Sequence, residues 1–246
     1  APDGGVEPGA SVQTPEKVLV RSGQVFSCVR TRTFGPLAQI GTPGARNEEC
    51  FEYVLTEIPG NFEEIAATTI GLIPGTSGWD DSSVDVTVPP FTYFGQTFTS
   101  LHIVSNGWIS FVPTTSTEYI NKTIPTSSAP FGTIAPFWDD LGDNVSVPTS
   151  NVYWTRRAGV TIVEWYRVEQ LGDNDDMSFE VKLFDNGVIE FHYGTMISGS
   201  TSNWANGNGA TRWIENPAGT AALAISVNEP TVQPNTAFRF TPRSLL

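Results

Sequence analysis

FTYFGQTFTSLHIVSNGWISF, residues 91–111, and IPTSSAPFGTIAPFWDDL, residues 124–141, form the stretch whose reading decides the fold. In the first segment Asn106-Gly107 signals a hairpin, and two registers compete for it. A two-residue turn pairs Ser105 with Trp108 and Ile103 with Ser110, so apolar residues face polar ones along the whole ladder. A three-residue loop, Ser105-Asn106-Gly107 with Gly107 left-handed, pairs Val104 with Trp108, Ile103 with Ile109 and Leu101 with Phe111. That register sets His102 opposite Ser110 on the other face and makes one face purely apolar. Burial of one face is what fixes register, so the three-residue loop is preferred. The second segment leads into an apolar aromatic strand, Ile134–Leu141, that ends abruptly in two carboxylates, Asp139-Asp140.

The same construction recurs around Asp185-Asn186-Gly187, where the three-residue loop pairs Leu183 with Ile189, Val181 with Phe191 and Phe179 with Tyr193. The opposite face then sets Lys182 across from Glu190 and Glu180 across from His192, pairs worth roughly 0.2–1 kcal/mol each. Further short strands are expected at Lys17–Val20, Val25–Val29, Cys50–Ile58, Ser83–Val88, Val152–Trp154, Val160–Val168, Ala210–Ile214, Ala222–Val227 and Thr236–Phe240. Pro89-Pro90 is expected to stop the Ser83 strand. Residues Phe62–Ile70 are taken as a strand, with one helical turn over Glu63–Ala67 as the alternative. No helix of ten residues or more is expected. The chain therefore reads as all-β: an antiparallel β-sandwich of roughly fourteen short strands in one large domain. Residues 1–24 form an N-terminal extension, flexible or strand-donating, and residues 25–246 the sandwich; a division into two small domains near Pro148 is the alternative.

Composition narrows the setting. Of 246 residues 39% are hydrophobic and only 16% charged, with 26 acidic against 13 basic and a net charge of −13. Such a chain repels phosphate backbones, which excludes nucleic acid as a natural partner. No run approaches the roughly 18 apolar residues that a membrane helix needs. The start at Ala1-Pro2-Asp3 fits a mature exported product, and a trimmed chain would look the same. In that setting Cys28 and Cys50 are expected to form one disulfide, with two buried thiols as the alternative.

Carboxylates cluster at Asp80-Asp81 with Asp85, at Asp139-Asp140 with Asp143, and at Asp173 with Asp175-Asp176. Asp139, Asp140 and Asp143 are the best candidate for Ca²⁺, because hard oxygens at a strand end suit that ion and Gly142 permits a tight wrap. A solvated acidic turn without an ion is the alternative, so the cofactor expectation is none, or Ca²⁺. Paired carboxylates of a glycosidase occur by chance in any acidic β protein and carry little weight. His102 and His192 sit on the polar hairpin faces and read as structural. No GxSxG or HExxH motif is present, and no catalytic residue is assigned. Trp108 falls on the non-core face, where it is either a contact aromatic for a sugar or protein, or covered by a further layer. Asn121 and Asn144 head glycosylation sequons.

Phe94-Gly95, Phe98–Leu101, Ser105–Phe111 and Ala135–Leu141 together resemble the nidogen-type extracellular domain, as found in large secreted bacterial proteins. The resemblance continues through Val163–Trp165, Phe179–Leu183, Gly187–Phe191, Trp213–Asn216 and Gly219-Thr220, and so covers about residues 60–228. It implies an extracellular or cell-surface location and a role in adhesion or matrix assembly, and it brings no catalytic residues. The expectation is a secreted, non-enzymatic structural or adhesion module. A fibre subunit that exchanges its N-terminal strand and a carbohydrate-binding module are the competing readings. Expected partners are other extracellular proteins, copies of the same chain, or glycans, without membrane insertion.

Overall fold

A computed structural model describes residues 52–69, 71–73, 79–122, 124–126 and 128–243. The expected strands at 17–20 and 25–29, the extension 1–24 and both cysteines lie outside these residues. Among the described residues there are thirteen strands and two short 3-10 turns, and no helix is long and apolar enough to cross a membrane. The strands are β1 (Tyr53–Pro59), β2 (Ser83–Tyr93), β3 (Gln96–Val104), β4 (Trp108–Ser110), β5 (Thr133–Trp138), β6 (Leu141–Asp143) and β7 (Asn151–Arg157). They continue with β8 (Val160–Gln170), β9 (Asp176–Phe184), β10 (Ile189–Ile197), β11 (Thr211–Glu215), β12 (Ala222–Val227) and β13 (Thr236–Pro242).

Two antiparallel sheets face each other. One has seven strands in the order β1-β13-β10-β9-β8-β6, with β7 also on β8; the other has six, in the order β12-β11-β5-β4-β3-β2. Both hairpin registers are those read from the sequence: Val104 pairs with Trp108 and Ile103 with Ile109, while Leu183 pairs with Ile189 and Val181 with Phe191. Gly107 and Gly187 take φ of +75° and +86°, the left-handed backbone that a three-residue loop demands of its last residue. The core between the sheets is filled by the inward residues of both hairpins, joined by Phe137, Trp165, Tyr193 and Phe240. Two polar tips stitch the layers across this core: the Trp165 indole donates to the Val104 carbonyl at 2.9 Å, and the Tyr193 hydroxyl to that of Pro136 at 2.8 Å.

Three expected elements come out differently. The strand expected at 62–70 is instead an extended segment ending in a 3-10 turn at Ala66–Thr68, because its backbone groups bond to side chains of the seven-stranded sheet and not to a strand. Pro89-Pro90 does not end β2. The ladder shifts register between Thr87 and Phe91 and resumes, which the prolines permit because β2 is an edge strand. The strand expected at 134–141 divides, since β5 belongs to the six-stranded sheet and β6 to the seven-stranded one. Asp139-Asp140 is the point where the chain crosses.

The outer faces are covered as well. The segment 60–69 crosses the outside of β8, β9 and β10, and Ile65 is buried there against Tyr153 and Ile162. Residues 113–122 and 124–126 lie over the other sheet, above a second cluster that holds Trp108, Trp138 and Trp213. Strands with two apolar faces, such as β8, are thereby explained. Val163 and Trp165 face the opposing sheet, while Ile162 lies under the crossing segment.

Candidate cation site at the sheet-crossing corner

The Ser105-Asn106-Gly107 loop is buried, and it organises the corner where the chain changes sheets. Gly107 accepts the Phe137 amide at 3.3 Å. The Asn106 side chain accepts the Leu141 amide at 2.8 Å and donates to Asp81 at 2.8 Å and to the Thr117 carbonyl at 2.9 Å. Ser105 exchanges bonds with Ser82: its hydroxyl accepts the Ser82 amide, and its own amide donates to the Ser82 carbonyl. One loop thus ties the segment before β2 to the link between β5 and β6.

Asp80, Asp81 and Asp140 meet at that junction, each offering a carboxylate oxygen within 4.8 Å of the others. Asp80 and Asp81 are exposed and Asp140 is half-buried. Partial burial raises the Asp140 carboxyl, and the negative charges of Asp80 and Asp81 raise it further. Asp80 is raised by burial, then by Asp81 and Asp143. No Lys or Arg forms an ion pair with these three groups among the described residues. Clustered carboxylates of this kind offer donors that a hard divalent ion can use, although such an ion takes about six to eight oxygens in all and exposed acidic groups also occur without one.

The set expected from the sequence, Asp139, Asp140 and Asp143, is not brought together; only Asp140 joins the cluster. Adjacent residues around the crossing point in opposite directions. One Asp139 oxygen accepts the Asp140 amide at 2.9 Å, and the other lies beside Gly209 and Trp204 without a hydrogen-bond partner. Burial pushes this carboxyl up to about 6. Asp143 is buried on β6. Asp80 and Asp81 stand out in the sequence as a pair, but there they group with Asp85. Asp85 instead reaches His102, at 2.7 Å. Asn106, whose side chain assembles the corner, carried only a turn signal.

Asp85, His102 and Ser110 share a small recess and contain the residue types of a nucleophilic triad. The geometry does not make one. His102 Nε2 is held by the Ser116 carbonyl at 2.9 Å, while the Ser110 hydroxyl donates to the Phe131 carbonyl at 2.8 Å.

Trp108 is not a contact aromatic in the folded domain. It is fully buried, lies tilted against Trp138 with ring centroids 5.3 Å apart, and donates to the Glu118 carbonyl at 2.9 Å. Asn144 is also buried, and its amide nitrogen donates to the Asp175 carbonyl at 2.8 Å, so the folded chain leaves no free amide there for a glycan. The Asn121 amide nitrogen is committed to Gly209, Thr211 and Asn228. Cys28 and Cys50 lie outside the described residues.

Searches of curated proteins and of solved structures give no match. The family described as NIDO related matches residues 52–243, beyond the 60–228 read from sequence motifs alone. The added ends are β1 and β13, which pair with each other from Tyr53 against Pro242 to Pro59 against Thr236 and so belong to the same sheet as the motifs. On a match that spans the whole two-sheet body, the chain belongs to the nidogen-related family.

Proposed function

We propose that this domain is a non-enzymatic extracellular module that works through its surface, in adhesion or in building a surface layer or matrix. Family membership supports the extracellular setting. The observation that carries the non-enzymatic part is how the reactive side chains are used. Glu164, Glu180 and Glu215 accept backbone amides of crossing segments, and His192 bridges Asn61 and Glu190. The buried Arg212 guanidinium lies over the rings of Tyr193 and Phe238 and bonds to Ser226 and Thr231. These are groups with catalytic potential that serve as internal fastenings.

Sizing and electron microscopy of the native protein test the reading. Discrete particles that bind a surface or matrix protein support it. Ordered filaments would favour the fibre subunit, whose strand-donating segment is outside the described residues. Turnover in a glycosidase and esterase screen would overturn it. The burial of Trp108 removes the sequence feature that favoured a sugar-binding module.

Ca²⁺ at Asp80, Asp81 and Asp140 belongs to the same proposal, as a brace on the corner. Saturating calcium should raise Tm by mass action, and Asp140→Asn should abolish the rise. Identical melting curves in calcium and in chelator would remove the ion from the account.

A further inference from the structure

The outward face of β8–β10 carries a row of ionisable residues in register: Glu164 opposite Glu180, Glu180 opposite His192, and Lys182 opposite Glu190. Residues 60–69 cross this row, held by side chains where a strand would be held by a ladder. The Asn61 amide donates to His192 Nδ1 at 3.1 Å, and its carbonyl accepts from Lys182 Nζ at 2.7 Å. The Glu63 amide donates to Glu180 at 3.0 Å, and those of Ile65 and Ala66 to Glu164 at 2.9 and 3.0 Å. Two apolar contacts complete the attachment: Ile65 packs against Tyr153 and Ile162, and the Phe62 ring lies over Gly194.

Beneath this strap Glu164 and Glu180 are both 0% exposed, and each keeps one carboxyl oxygen without a partner. Both carboxyls ionised would leave two negative charges facing each other across adjacent strands. Lys182, 3.1 Å from Glu180, offsets one of them. Such a site is costly to close over charged groups and far less costly over protonated ones.

We infer that residues 60–69 are a pH-operated latch: closing over β8–β10 takes up protons on the Glu164–Glu180 pair, and rising pH opens the strap while the sandwich stays folded.

The charged surroundings fit this sense. Burial is the leading cause that pushes both carboxyls up, to about 8, ahead of every neighbouring charge. Lys182 on β9 and Arg157 on β7 pull Glu180 down, while Glu190 on β10 pushes it up. Glu180 and the strap's own Glu64 push Glu164 up. Of the other facing groups, Glu63 is paired with Arg157, Glu190 with Arg239 of β13, and Tyr153 and Tyr166 bear no charge over this range. His192 on β10 also faces the strap, accepting the Asn61 amide at Nδ1 and bonded to Glu190 through Nε2. With the strap open, water restores the glutamates to ordinary carboxyl behaviour. The closed state's advantage is therefore complete below that ordinary range, declines as pH rises, and is lost by about pH 8.

Hydrogen exchange on the full chain tests the latch, with protection factors corrected for intrinsic rates at about pH 5.5 and pH 7.5. One proton released on opening changes the opening constant about tenfold per pH unit, so the Glu63, Ile65 and Ala66 amides should lose at least about tenfold protection between the two. Amides of Val181 and Phe191, which open only with the whole sandwich, should stay far better protected than the strap at pH 7.5. Glu164→Gln, a neutral isostere with the same acceptor oxygen, should flatten the pH dependence of strap protection, and Glu180→Gln serves if that variant does not fold. Equal strap protection at both pH values, or strap amides as well protected as those of β9 and β10 at pH 7.5, overturns the inference.

Discussion

Gly107 and Gly187 occupy the same position in two hairpin loops, but their surroundings set different demands. Both hold positive φ, so a side chain at either costs about 1 kcal/mol in backbone strain. At Gly187 an added Cβ would meet Pro242 at 3.1 Å, which a small shift accommodates; at Gly107 it would overlap the Phe137 carbonyl oxygen. Gly187→Ala should therefore cost about 1 kcal/mol and Gly107→Ala at least about 3 kcal/mol in urea denaturation. Equal costs would mean that the Gly107 loop does not press on β5. Asn106→Ala should cost at least about 2 kcal/mol, because it leaves the Leu141 amide buried and unpaired and removes the bond to the half-buried Thr117 carbonyl. It should also weaken any calcium-dependent rise in Tm, although Asn106 supplies no carboxylate. The left-handed glycines were legible from pairing alone, since only one register put apolar residues on one face. The close approach to Phe137 was not, because it joins positions whose contact depends on how β5 enters the sheet.

Strands, their pairing and their inward residues were readable because the period-2 alternation is local and hairpins are short-range. What covers the outer faces was not readable. The strap reaches its glutamates across 99 and 117 residues of sequence, and no local pattern encodes that contact. From sequence these hairpin faces are simply polar, with His102 and His192 structural, and nothing there names what lies over them. In the fold Glu180 and His192 are anchors for the strap, and Ser110 is an anchor for Val112 and Phe131. Trp108 shows the same limit: its place on the outer face is legible, but its cover, residues 113–122 and 124–126, has no regular pattern to announce it, so contact aromatic and covered aromatic both stay open from sequence. This layer supports a direct expectation. Trp108→Ala should cost about 3–5 kcal/mol, the range for emptying a buried aromatic site, and Trp108→Phe about 1–2 kcal/mol for the lost bond to Glu118. A Trp108→Ala variant as stable as the wild type would mean that the outer layer is not packed on the sheet.

At the scale of the whole molecule, several buried carboxyls act in one direction. Burial is the leading cause that raises Asp139 to about 6, Glu215 to about 7, and Glu164 and Glu180 to about 8. Each of these groups binds its proton more tightly in the fold than in the unfolded chain. Its contribution to stability is therefore complete below the ordinary carboxyl range and is lost as pH rises through the folded value. The net charge of −13 adds to this sense, since deprotonating further carboxyls increases self-repulsion in the compact state. Carboxylates stabilised by cations do the reverse, and Glu190, held down by His192 and Arg239 against the opposing effect of burial, is one of them. The raised groups outnumber it and are more deeply buried. Chemical denaturation should show the midpoint falling steadily from pH 5 to pH 8, by on the order of 2–4 kcal/mol in stability; a two-unit shift alone corresponds to roughly 3 kcal/mol, and neighbouring shifts do not add in full. Asp139→Asn removes one titration without changing shape, so it should leave stability unchanged near pH 4 and raise it above pH 6. A midpoint that climbs toward pH 8 would show that these carboxyls gain cations or water on folding, and would count against the desolvated anchors that hold both outer layers.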